Sequence, residues 1–83
     1  MKETIIVQFE RRKTGEKCDL EIPLHITANE LLQALNTGFN LGVNMNDISQ
    51  NYLISENPVA LLRGDVLLEE FGLRDGSTIC FQR

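Results

Sequence analysis

The chain has 83 residues, 42% of them apolar, and a net charge of −4. That length makes one small domain over residues 1–83, which buries only roughly 60–65% of its unfolded surface and must use its whole core. The acidic balance argues against nucleic acid, whose phosphates need a surplus of Lys and Arg on one face.

Residues 4–11 alternate, with Ile5, Val7 and Phe9 on one side and Ile6, Gln8 and Glu10 on the other. Period two with β-branched residues predicts a strand with one buried face. Arg11-Arg12-Lys13 is the one basic run, flanked by Glu10 and Glu16. It reads as a solvated hairpin turn rather than a contact for phosphate or an acidic partner. Lys13-Thr14-Gly15-Glu16 carries the turn signal, and alternation resumes from Cys18 to Ile26. The two runs predict a hairpin, with Pro23 at the strand's end or on an edge because it lacks an N–H.

Thr27-Ala28-Asn29-Glu30 is a capping box, in which the Thr27 hydroxyl and the Glu30 carboxylate each satisfy the other's backbone N–H. Ala28, Leu31, Leu32, Leu35 and Phe39 follow at helical spacing and predict one apolar stripe. The helix is expected to stop at Gly42. Its stripe is expected to cover the hairpin, since two strands cannot bury their own apolar side.

Residues 43–51 are polar and Asn-rich, which predicts a loop with one short turn. Tyr52 to Ser55 and Val59 to Leu62 predict two short strands around an Asn57-Pro58 turn. Arg63-Gly64-Asp65 breaks the chain, and Val66, Leu67, Leu68, Phe71 and Leu73 predict a compact loop with one 3₁₀ turn. Asp75-Gly76 then turns into a last strand from Thr78 to Gln82, with Ile79 and Phe81 facing the core. The order predicts an α+β fold, a mixed sheet of four to five strands with one main helix on one face and the first and last strands parallel at its centre.

This order, with the capped helix after the first hairpin and the turn into a closing strand, resembles ubiquitin over essentially the whole chain. Thr27 with the Ala28, Leu31, Leu35 series is similar to its single helix. Leu67, Leu68, Phe71, Leu73 and Asp75-Gly76-Ser77-Thr78-Ile79 are similar to its compact loop and closing strand. The resemblance implies a ubiquitin-like β-grasp. A length near 80 residues, compactness without extensions and an ending without Gly-Gly resemble the YukD-like family, the small ubiquitin-like accessory proteins of type VII (ESX-type) secretion in Gram-positive bacteria. That resemblance implies a cytosolic, non-conjugated adaptor whose partner is membrane-bound secretion machinery.

The chemistry expected of the residues is binding rather than catalysis. Gln82-Arg83 stands where a sulfur carrier or protein modifier would carry the glycine tail that an activating enzyme adenylates. A modifier with its tail missing, and a ubiquitin-like domain cut from a larger protein, are the two alternatives. One histidine, His25, and two cysteines without a Cys-x-x-Cys do not suffice for a zinc site or an iron–sulfur cluster, so no cofactor is expected. Glu69-Glu70 reads as a solvated loop rather than a carboxylate pair. With no signal-peptide pattern and no apolar run near the roughly 20 residues that span a bilayer, the expectation is a cytoplasmic protein with reduced thiols and no direct membrane insertion.

Cys80 alternates with Ile79 and Phe81, which predicts the outer sheet face, whereas Cys18 is expected on the inner face with Leu20 or at the fraying strand start. Opposite faces and non-adjacent strands argue against a Cys18–Cys80 disulfide, which needs Cα atoms within about 7 Å. Ile6, Ile54 and Cys80 are the expected contributors to a protein-binding site on the outer face. Which of Leu53 and Ile54 points outward is left open by the sequence.

Overall fold

The computed structural model describes residues 4–47, 52–56 and 59–81. Strand β1 (Thr4–Arg11) and strand β2 (Glu16–Pro23) form the first hairpin, followed by helix α1 (Ala28–Phe39). Strands β3 (Tyr52–Glu56) and β4 (Val59–Arg63) form the second hairpin, and a 3₁₀ turn (Leu68–Phe71) leads to strand β5 (Thr78–Phe81). The five strands make one sheet in the order β2-β1-β5-β3-β4. Strand β5 runs parallel to β1 and antiparallel to β3, so the two chain-distant strands meet at the centre as their apolar alternation requires.

The inner face is the core. Ile5, Val7, Phe9, Ile22, Leu53, Leu62, Ile79 and Phe81 lie beneath Ala28, Leu31, Leu32 and Leu35 of α1, all buried. The helical stripe therefore covers the sheet, and Phe39 closes its end against Phe9 with ring centroids 5.0 Å apart. Pro23 ends β2, which is an edge strand, where a missing N–H costs no ladder bond. The closing strand begins at Thr78 and the description ends at Phe81, so Gln82 lies outside the described residues. The Asn57-Pro58 turn and part of the Asn-rich connection (48–51) also lie outside them.

The capping box forms as the sequence specifies. Glu30 N–H donates to Thr27 Oγ1 at 3.1 Å, and Thr27 N–H donates to Glu30 Oε1 at 2.9 Å. Two further donors of the first turn are met by the long loop, Ala28 N–H by Val66 O and Asn29 N–H by Gly64 O. The helix end differs from expectation. It stops at Asn40, in the left-handed region at φ 55°, rather than at Gly42. Asparagine tolerates this conformation, and the Leu41 N–H bonds back to Asn36 O at 3.2 Å. Asn36 completes the stop by donating to Val43 O and accepting from Val43 N–H, both at 2.9 Å. Among the described residues no helix is long and apolar enough to cross a membrane.

Candidate functional site

Alternation along each strand fixes what the outer face presents. Residues opposite one another across the sheet form a single line, Lys17–Glu10–Cys80–Ile54–Leu61. Leu53 and Ser55 point inward and are buried, which turns Ile54 outward. Three regions follow from this line: a charged cluster over β1 and β5, an apolar strip over β3 and β4, and the separate end of the face at Ile6.

The charged cluster centres on Cys80. Arg12 Nη2 lies 2.7 Å from Glu56 Oε2 and donates to Cys80 Sγ at 3.3 Å. The thiol in turn donates to Glu56 Oε1 at 3.4 Å and lies 3.7 Å from Glu10 Oε1. Arg12 Nε is 3.6 Å from Glu10 Oε1, and Lys17 Nζ is 3.8 Å from Glu10 Oε2. Two cations and two carboxylates thus balance around one thiol. Burial pushes the Cys80 thiol up to about 11, the Glu56 hydrogen bond adding and the Arg12 one opposing. The hydrogen bond from Arg12 holds the Glu56 carboxyl below its usual range, with the thiol contributing next.

Ligand atoms of Glu10, Glu56 and Cys80 lie within 4.8 Å of one another, a grouping that could hold a metal ion. The guanidinium of Arg12 sits among them and supplies the positive charge directly. Sequence reasoning about zinc considered Cys and His alone and missed this grouping, because its members are 44 or more positions from Arg12 and Glu10 along the chain in the case of Glu56 and Cys80. The basic run is also not simply solvated: Arg12 ties the hairpin to β3, and Arg11 pairs with Glu16 at 3.5 Å.

Two of the three expected contact residues are brought together and the third, Ile6, lies apart. Ile54 and Cys80 are direct cross-strand neighbours. Cys80 is on the outer face but only 1% exposed, covered by Arg12, Glu10 and Glu56, so a partner at this position meets those charged side chains and not the thiol. Ile6 lies four residues from Glu10 along β1, about 13 Å away along the strand. It is exposed beside Asp75, whose Oδ1 accepts the Ile6 N–H at 2.8 Å. Ile6, Gln8, Asp19, Asp75 and Thr78 line a shallow polar depression of their own.

The apolar strip contains residues that sequence reasoning did not single out. Val59 is 85% exposed and Leu61 46%, and both share the outer face with half-buried Ile54. The available signal was the run Val59-Ala60-Leu61-Leu62, which is apolar at both parities. A strand buried on one face alone reads as an alternation, so such a run marks apolar side chains left outside. His25, Glu69 and Glu70 are exposed, and the Glu70 carboxylate accepts the Leu67 N–H at 3.3 Å at the start of the 3₁₀ turn. Cys18 is half-buried against the core, opposite Phe9 on the inner face.

No protein-family model matches the chain, and no curated protein does. Solved structures do. The C-terminal ubiquitin-like domain of mouse tubulin-specific chaperone e is similar at TM-score 0.74 and 10% identity, covering 96% of this chain and 86% of that one. A ubiquitin-like domain from tubulin-binding cofactor B is similar at TM-score 0.72 and 18% identity, covering 96% and 89%. A de novo design based on ubiquitin is similar at TM-score 0.69 and 18% identity, covering 96% and 88%. The fold is thus a ubiquitin-like β-grasp, a five-stranded mixed sheet with one helix on its inner face.

Proposed function

We propose that the chain is a non-enzymatic, protein-binding ubiquitin-like module, and that it serves as an adaptor of a type VII secretion apparatus. The observation that carries the binding role is the outer face of β3 and β4, where Val59, Leu61 and Ile54 form an apolar strip beside the Arg12–Glu56 ion pair. Apolar contact flanked by paired charge is the composition of a protein interface. The absence of catalysis is supported by the state of Cys80, since a buried thiol pushed up to about 11 makes a poor nucleophile. The secretion setting rests on the resemblance of overall pattern to the YukD-like family. The partner it implies is the membrane-bound component of that apparatus.

The experiment is capture of that component from detergent extracts by the tagged chain, with Ile54→Asp as the variant. A buried charge in a small apolar contact weakens binding by about tenfold or more. Capture by wild type with loss in the variant, at unchanged circular dichroism, supports the reading. Capture of no secretion component by wild type removes the secretion assignment, and equal capture by the variant removes the strip as the site. The second reading is a ubiquitin-like domain of a larger protein, favoured by neighbours that are themselves described as domains. The length of the native gene distinguishes it.

A further inference from the structure

The sheet has two edges, and they differ in chemistry. Strand β2 is guarded, with Lys17, Asp19 and Glu21 exposed on its outer face and Pro23 at its end. Strand β4 is not. Its only charged residue is Arg63, and its outward side chains are Val59 and Leu61. Among the described residues no ion pair reaches Arg63.

The hairpin register says which backbone groups face the open side. Gln8 N–H donates to Ser77 O and Arg12 N–H to Phe81 O, so β5 turns the backbone groups of Ile79 and Phe81 to β1 and those of Cys80 to Ile54 of β3, which leaves Leu53 and Ser55 to exchange hydrogen bonds with Leu62 and Ala60 of β4. The N–H and C=O groups of Val59, Leu61 and Arg63 therefore point away from β3. Among the described residues no further strand pairs with β4 on that side. Val59 and Arg63 lie symmetrically about Leu61.

We propose that β4 is a self-pairing edge: two copies of the chain join β4 to β4 antiparallel about Leu61, extending the sheet across a two-fold axis. In this register Leu61 of each copy exchanges both backbone hydrogen bonds with Leu61 of the other, and Val59 of each with Arg63 of the other. Leu61 faces the second copy's Leu61 as a hydrogen-bonded pair, with Cα atoms about 5.5 Å apart. Val59 faces the second copy's Arg63. Beyond that Val59, on the same face, stands the second copy's Glu56, with a side chain 48% exposed. The stem of Arg63 then lies over Val59 and its guanidinium reaches the Glu56 carboxylate. The same surface thus supplies apolar and charge complements to itself, which a two-fold interface requires. About six backbone bonds and one leucine pair make a small interface, so the dimer is weak and dependent on concentration.

Sedimentation velocity across a concentration series reads the association. Wild type is expected to move from its 9.4 kDa monomer toward twice that mass as concentration rises, and Leu61→Lys to remain monomeric because it sets two like charges face to face. Leu61 is 46% exposed, so this variant is expected to keep its fold. Oxidative crosslinking in a Cys18→Ser background tests the register. Leu61→Cys alone is expected to form a covalent dimer, whereas Val59→Cys is expected to do so only when mixed with Arg63→Cys. Wild type that stays monomeric to about 1 mM, a dimer untouched by Leu61→Lys, or Leu61→Cys that crosslinks no faster than Asp19→Cys on the guarded edge each overturns the proposal.

Discussion

Alkaline pH is expected to destabilise the folded chain through one buried thiol, and the effect can be isolated by Cys80→Ala. The ordinary thiol value of 9.0 becomes about 11 in the fold, first because burial penalises the thiolate and second because Glu56 accepts its proton in a hydrogen bond. The folded value is the higher one, so between the two the unfolded chain releases a proton that the folded chain retains. Stability from this site is complete below pH 9 and declines as pH rises toward about 11. A two-unit shift is worth about 2.7 kcal/mol in full, of which about 1.3 kcal/mol falls between pH 8 and pH 10. Urea unfolding followed by far-ultraviolet circular dichroism at those two pH values gives the loss for wild type and for Cys80→Ala. All other groups of the chain are common to both proteins and cancel in the comparison. Wild type should lose about 1.3 kcal/mol more than the variant. Equal losses would refute the account of Cys80 as a buried thiol held protonated.

Glu56→Gln removes the second cause of that shift, so Cys80 should react faster with a thiol reagent at mildly alkaline pH while Cys18 is unchanged, read by mass spectrometry of labelled peptides; an unaltered Cys80 rate counts against the cluster. Thr27→Ala deletes the cap acceptor of Glu30 N–H and should cost about 1 kcal/mol in urea unfolding. Asn36→Ala strands both polar groups of Val43, which is buried, and should cost about 1–3 kcal/mol, with the helix end exchanging amide hydrogens faster. Leu53→Ala opens a cavity at a site only 1% exposed and should cost about 2–5 kcal/mol, whereas Leu61→Ala on the same hairpin's outer face should change stability by less than about 1 kcal/mol.

Much of the fold was legible because local rules and the global layers agree. Alternation in residues 4–11 and the Thr27–Glu30 box each depend on neighbours within a few positions, so the strand face and the helix start could be read directly. The helix stop could not be read so well, because Asn40 and Gly42 both tolerate the left-handed region and the choice was made by Asn36 reaching Val43. The candidate site was legible only in part. Ile54 was singled out, but its orientation awaited the pairing with Cys80 and Leu61, since a strand of five residues carries apolar side chains at both parities.

The sequence by itself determined the composition of each face. Short-range spacing dictates which side chains a strand or helix places together, and that spacing is written in the chain. Tertiary structure alone decided which faces of different strands adjoin. Parallel pairing of β1 with β5 carried Glu10 beside Cys80, and β3 on the other side brought Glu56 within reach of Arg12. A residue placed outward by alternation was therefore buried by side chains from distant strands, because exposure is a property of the assembled sheet and not of the strand that carries the residue.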